Sequence, residues 1–259
     1  MTCNKEETCL PTPLLQVLVS RFEKPSSLQL AYWSSCLASP LALDSDHRPR
    51  RRVPHVISAP TGSGKTTCFL VPAISALLKE AEDCRGSRQG EPTTLLPSAR
   101  PGRPRIVVVA PTRELAVQVF REAIDLTSPR SKSRRCSGSD WHTSKDQSLV
   151  ENADGASLEA HSQPSTSQSL REGWLSAACL YGSVPPYHQV RLLDKGVHLL
   201  AATPGRLMDL LNQNRLSLDA VTTLIFDEYD RLLSGPLRNQ VQQSTRLHLN
   251  LLSHGHLTC

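Results

Sequence analysis

Aromatic residues make up only 4% of this 259-residue chain. A core must therefore be built mainly from aliphatic side chains, for which an apolar content of 39% is sufficient. No run of eighteen apolar residues occurs, so no membrane-spanning helix is expected. The opening stretch "MTCNKEETCLPTPLL" contains acids and no long apolar run, so it does not read as a secretory signal. None of the eight cysteines (Cys3, Cys9, Cys36, Cys68, Cys84, Cys136, Cys179 and Cys259) has a C-x-x-C partner. They read as free thiols in a reducing compartment, without a zinc site. Charge of one sign does not dominate: the net charge is +5 and the pI about 8.8. That permits a polyanionic partner without requiring one.

What is present is an alternation of short apolar runs and helix-like stretches. His55–Ser58 ("HVIS"), Arg105–Ala110 ("RIVVVA"), Trp174–Gly182, Val197–Thr203 and Thr222–Asp227 read as strands. "RIVVVA" is uninterrupted and β-branched, as suits a strand covered on both faces. One helix should start at Thr66 and bury Phe69, Leu70, Ile74, Leu77 and Leu78. A second should start near Arg113 and bury Leu115, Val119, Ala123 and Leu126, and a third near Gly205 with Leu207, Leu210 and Leu211. Such alternation predicts an α/β fold with a doubly wound, mostly parallel sheet.

Two stretches interrupt the rhythm. Cys84–Arg105 carries five arginines, four prolines and three glycines against one acid, and is expected to be a mobile basic loop. Ser128–Ser169 holds twelve serines in 42 residues and few aliphatics, so burial cannot offset its ordering entropy; a disordered insertion is expected. A third basic cluster, "HRPRRR" at His47–Arg52, reads equally as a solvated loop and as a contact for nucleic acid or a nuclear import receptor.

The most specific local signal is "APTGSGKTT" (Ala59–Thr67) between an apolar run and an amphipathic stretch. It follows the phosphate-loop pattern G-x-x-x-x-G-K-[ST], with Ala59 in place of the first glycine. Gly62 and Gly64 let the backbone of Thr61, Ser63 and their neighbours turn N–H groups onto a phosphate, aided by the positive end of the following helix. Thr67 closes the candidate nucleotide-binding set. Lys65 would reach the β and γ phosphates, and Thr66 would ligate Mg²⁺. A carboxylate is then needed on a neighbouring strand. Asp227, at the tip of "LIFDEYD", fits as the second metal-side residue, and Glu228 as the base that orients the attacking water. Lys65, Asp227 and Glu228 are thus the candidate catalytic residues, with ATP and Mg²⁺ as cofactors.

With these parts placed, the chain resembles the first RecA-like lobe of a DEAD-box RNA helicase, over roughly residues 22–235. "APTGSGKT" matches motif I, "PTRELAVQ" (Pro111–Gln118) motif Ia, "TPGRLMDLL" (Thr203–Leu211) motif Ib and "DEYD" motif II. "YGSVPPYHQ" (Tyr181–Gln189) resembles the double-glycine segment, with Ser183 for the second glycine. "KPSSLQ" (Lys24–Gln29) resembles the adenine-reading Q motif, which makes Gln29 a nucleotide contact. The resemblance implies a single RecA-like P-loop domain in which Arg113, Gly182, Thr203, Gly205 and Arg206 face an RNA backbone without reading its sequence. The Ser-rich insertion is similar to that of nucleolar helicases of ribosome assembly. This implies a nuclear or nucleolar location, with the cytoplasm as the alternative, and assembly factors as partners.

Three departures accompany the resemblance. Tyr229 replaces the alanine of the DEAD box. Residues 1–21 precede the matched lobe, and the tail 236–259, with His248, His254 and His256, reads as atypical; the triplet that couples hydrolysis to RNA grip and the second lobe are not seen in it. The expectation is therefore a truncated ATP- and RNA-binding lobe. The alternatives are a non-catalytic nucleotide- and RNA-binding regulator, a gene-model fragment without a stable product, or a DNA helicase of the wider superfamily.

Overall fold

The computed structural model describes residues 10–37, 55–86, 96–128, 174–183, 185–234 and 237–243. The Ser-rich insertion, apart from Ser128, and the histidines of the tail lie outside them.

Four strands form one parallel sheet: β1 (Ile106–Val109), β2 (Ala177–Leu180), β3 (Leu199–Ala202) and β4 (Thr223–Phe226), in the order β2-β3-β1-β4. Ile106 lies level with Leu199 on one side and Thr223 on the other, and Ala177 with Leu199. The pleat divides the sheet into two cores. Ile106, Val108, Ala177, Leu199 and Ala201 face one cluster. Val107, Val109, Ala178, Leu180, Leu200 and Ala202 face the other. Helices cover both faces, so the sheet is doubly wound. On the first face lie α1 (Thr12–Arg21), α2 (Ser27–Leu37), α3 (Lys65–Gly86) and α4 (Arg113–Asp125). On the second face, α5 (Pro186–Asp194), α6 (Pro204–Asn212) and α7 (Tyr229–Leu233) contribute Leu193, Leu207, Leu210 and Leu232.

The predicted apolar stripes are the buried ones. Phe69, Leu70, Ile74, Leu77 and Leu78 of α3 are all in the core, as are Val119 and Ala123 of α4 and its C-cap Leu126, whereas Leu115 is only half-buried and its neighbour Ala116 is buried instead. Thr112 caps α4 by accepting from the Leu115 N–H at 3.3 Å.

Several expectations are corrected. "HVIS" is not a strand: 55–58 has no ladder, and Val56 is 91% exposed. Apolar content gives a strand side chains to bury but no backbone partner, and among the described residues β4 ends the sheet on its outer side. The helix after the phosphate loop begins at Lys65, one residue early. The 12–21 part of the N-terminal segment is integral to the lobe: Leu14, Val17 and Leu18 of α1 are buried, and Arg21 pairs with Glu122 on α4 at 2.7 Å. The second half of the basic loop is pinned. Gly102 donates to Leu193 O and accepts from the Ser217 N–H at 2.8 Å. Arg105 pairs with Glu80, and Arg103 with Asp219 at 3.0 Å. Buried His198 fastens the same segment: its Nε2 donates to Pro97 O at 2.8 Å, while its Nδ1 accepts from the Ser176 N–H at 3.1 Å. Burial lowers the pKa of this imidazole, in keeping with the neutral tautomer that these two bonds require. The tail also joins the fold: 237–243 is helical, and Leu237 and Val241 pack on the second core.

Candidate nucleotide and nucleic-acid sites

Every motif picked out after a strand lies at the carboxyl end of the sheet, where open α/β folds place their ligands. β1 leads into Arg113, β2 into Gly182, β3 into Thr203–Arg206 and β4 into Asp227–Tyr229.

The phosphate loop has the backbone its glycines allow. Gly62 and Gly64 adopt φ of 79° and 82°, in the left-handed region. The space a Gly62 Cβ would occupy is open, whereas one on Gly64 would fall 2.6 Å from Gln29 Nε2. Gln29 is buried and joins two elements: Oε1 accepts from the Ser26 N–H at 2.9 Å, and Nε2 donates to Gly64 O at 3.3 Å. It thus lies against the loop, as the Q-motif match implies, with its amide serving as a loop brace. The Lys65 ammonium donates to Ala59 O at 2.7 Å and Pro60 O at 2.8 Å, closing the loop on itself. Two of its three N–H donors are thus used, and the third is left for a phosphate. Ala59, Thr61 and Ser63 form the loop wall, and Thr66 lies in the first turn of α3. Thr67 corrects the expectation for its side chain. Its hydroxyl donates to Glu122 Oε1 at 2.8 Å, and the other carboxylate oxygen of Glu122 holds Arg21. Only the backbone N–H of Thr67 is left for a phosphate, because α4 supplies a buried acceptor.

Asp227 continues the ladder through its N–H to Val109 O at 2.9 Å. Its Oδ1 accepts from the Glu228 N–H at 3.0 Å. Burial raises the Asp227 pKa; the Glu228 N–H opposes this, the Glu228 charge adds to it, and the Lys65 charge lowers it. Lys65 and Asp227, 162 residues apart in the sequence numbering, are thus within electrostatic reach. Glu228 sits at φ 47°, a left-handed conformation that non-glycine residues seldom adopt outside functional turns. Its Oε2 lies 3.0 Å from Arg231 Nη1, without a directional hydrogen bond. Tyr229 is half exposed and leans on Phe226, ring centroids 5.8 Å apart. A half-buried carboxylate together with the hydroxyl of Thr66 is an oxygen ligand set that suits a hard cation such as Mg²⁺.

Of the expected RNA contacts, Arg113 and Gly182 are exposed, while Thr203 and Gly205 are half-buried at the start of α6. Gln240 Oε1 lies 3.7 Å from the position a Gly205 Cβ would take. Arg206 departs from expectation. It is only 9% exposed, among Leu207, Met208 and Leu210 on the inner side of α6, so its guanidinium does not form part of an open phosphate surface. Four further residues of the site carry no motif signal that singles them out: Glu122, which ties α3 to α4; Gln189, which donates to Tyr181 O; Tyr181, which stacks under Arg113; and Arg231, which pairs with Glu228.

A family model described as DEAD/DEAH box helicase matches residues 47–158 and 160–254, running on through the tail helix at 237–243. The chain is 30% identical over 239 residues to the DEAD-box ATP-dependent RNA helicase 46 of Arabidopsis thaliana, covering 92% of this chain and 26% of that protein. It is 32% identical over 185 residues to the probable ATP-dependent RNA helicase ddx3 of Dictyostelium discoideum, covering 71% and 19%. Against the pre-mRNA-processing ATP-dependent RNA helicase PRP5 of Yarrowia lipolytica it is 32% identical, covering 92% and 18%. The chain thus spans about a fifth to a quarter of the length of these relatives. The crystal structure of the yeast DEAD-box splicing factor Prp28 superposes with a TM-score of 0.61 at 21% identity, over 97% of this chain and 43% of that one, which supports the RecA-like fold.

Proposed function

Because the chain belongs to the DEAD/DEAH box helicases, we propose that residues 22–235, together with α1 and the helix at 237–243 that pack on them, act as the ATP-binding, RNA-gripping first lobe of an RNA-remodelling ATPase. The observation that carries this reading is a loop with two left-handed glycines, braced by Gln29 and closed by the Lys65 ammonium, beside a sheet whose carboxyl end carries Asp227 and Glu228. Backbone N–H groups around Gly62–Thr66 and the Lys65 ammonium bind the phosphates; Thr66 and Asp227 hold Mg²⁺. When bound, the cation neutralises phosphate charge. Glu228 orients water, and Gln29 steadies the loop beneath the base. Arg113, Gly182, Thr203 and Gly205 meet the RNA backbone, which positions a strand without reading its sequence.

The test is a titration of fluorescent ATP analogue with Mg²⁺ into wild-type and Lys65→Ala protein. The substitution removes the ammonium while leaving the loop glycines intact, so affinity should fall at least tenfold, about 1.4 kcal/mol. Equal affinities would remove the nucleotide assignment.

A second reading, a nucleotide- and RNA-holding module without turnover, draws on the pairing of Glu228 with Arg231. Phosphate release by the chain and by a Glu228→Gln variant separates the two, since only the catalytic reading predicts a difference. A nuclear location and ribosome-assembly partners rest on sequence alone: "HRPRRR" at His47–Arg52 is the import candidate. Replacing its arginines with alanine in a fluorescent fusion should abolish nuclear accumulation.

A further inference from the structure

The turn after β2 is fastened from three sides. Leu180 O accepts from the Thr203 N–H at 2.9 Å, and Tyr181 O accepts from Gln189 Nε2 at 2.9 Å. Gln189 is only 3% exposed, so this brace comes from inside the protein. Ser183 follows at φ 68°, turning the chain sharply into α5. The third side is a side-chain contact: the Arg113 guanidinium carbon lies 4.6 Å from the centroid of the Tyr181 ring. The Tyr181 backbone is thus fixed by a buried amide, and its ring lies under an exposed arginine at the first position of α4.

The form of the contact matters. A guanidinium has five N–H donors, and its attraction to an aromatic ring, which acts over the ring's face, neither needs a carboxylate nor neutralises its charge. A carboxylate partner would occupy donors and cancel charge. A ring restrains the same side chain while leaving its donors and charge available for an anion. Among the described residues, Arg113 forms no ion pair with a carboxylate. We propose that Tyr181 is a positioning residue for RNA binding, holding the Arg113 guanidinium at the carboxyl end of the sheet so that little side-chain entropy is lost when a phosphate arrives. This rests on the reading of that face as RNA-binding.

The experiment measures binding of a fluorescently labelled single-stranded oligo(U) to residues 1–259 by anisotropy, over a series of salt concentrations. The variants are Arg113→Ala, Tyr181→Leu, Tyr181→Phe and the double variant Arg113→Ala/Tyr181→Leu. Leucine keeps apolar bulk in the turn but lacks the π face; phenylalanine keeps the face. Arg113→Ala should weaken binding and reduce the salt slope by about 0.7, the value for one phosphate contact on a single strand. Tyr181→Leu should weaken binding about two- to fivefold, the range of an exposed cation–π contact. Tyr181→Phe should bind as wild type, and the double variant no worse than Arg113→Ala. Wild-type affinity in Tyr181→Leu, or full additivity in the double variant, would overturn the positioning role while leaving the RNA face intact. Unchanged affinity and slope in Arg113→Ala would instead overturn the RNA-face reading, and the proposal with it.

Discussion

The nucleotide rim and the RNA rim share one end of one sheet but are built differently. The RNA rim grows out of β1, β2 and β3, and β1 and β3 are each paired on both sides and fully buried. Its residues are then fixed by the Thr112 cap within α4 and by contacts between elements: the Thr203 N–H on Leu180 O, the Gln189 brace and the Tyr181 ring. The nucleotide rim hangs on β4, whose four residues are all half-exposed, and on a loop whose approach at 55–58 lies outside the sheet. Its charged groups engage nearby chain instead, Lys65 on Ala59 and Pro60 and Asp227 on the next N–H. Deeply paired strands aim side chains before any ligand arrives. The phosphate loop is held mainly by Gln29 from α2 and by its own Lys65, so fewer elements fix it before a ligand arrives.

The link between the rims is the most sensitive place to break this contrast. Glu122 on α4 holds Thr67 of α3 and Arg21 of α1, with both ion-pair side chains under a fifth exposed. Glu122→Ala removes the partner of Thr67 and leaves the half-buried Arg21 with only the longer 3.5 Å contact to Asp125, and should cost about 2–3 kcal/mol, read as a lower midpoint in urea unfolding. Nucleotide affinity should fall more than RNA affinity, since the anchor lost on α3 belongs to the phosphate-loop helix. Equal losses in the two affinities would show that the rims are not separately supported.

A smaller effect is expected at the loop itself. Gly64→Ala puts a Cβ against Gln29 and keeps a left-handed φ that alanine resists. About 1–2 kcal/mol of stability should be lost, with nucleotide binding weakened and oligo(U) binding unchanged. A matching drop in oligo(U) affinity would erase the distinction.

The smallest effect has the opposite sign. The folded-state pKa of Asp227 is raised, so the fold favours its protonated form: that contribution to stability is present at low pH and lost as pH rises through the raised value. At neutral pH the buried charge therefore costs stability. Asp227→Asn should raise the melting temperature, by up to about 2 °C given partial exposure, while removing the Mg²⁺-dependent part of nucleotide binding. A fall in melting temperature would show that the carboxylate is structurally required.

Much of this was legible in the sequence. Four of five predicted strands form, because β-branched and aliphatic runs such as "RIVVVA" carry their own signal and each finds at least one neighbour in the sheet. "HVIS" carries a similar signal but lacks the partner. Lys65 and Asp227 stand out in the sequence because the phosphate-loop pattern fixes spacing and residue type for one and the end of an apolar run marks the other. Arg206 and Thr67 misled for one reason: a motif names a residue, whereas burial and a neighbour such as Glu122 decide where its polar atoms go. Glu122 and Tyr181 act across 55 and 68 residues of chain, on Thr67 and Arg113, and no local pattern announces such pairs; Gln189 and Tyr181 bound the one segment "YGSVPPYHQ", whose likeness to the family does not reveal the bond between its ends.

The position of β4 also bears on how the protein behaves at high concentration. Among the described residues, its outer edge ends the sheet, with "TLIF" exposing a row of backbone donors and acceptors beside half-covered apolar side chains. Such an edge is a template for another strand of the same kind. Solutions of residues 1–259 should therefore self-associate as concentration rises, and a lysine in place of Thr223 at the start of that edge should keep them dispersed.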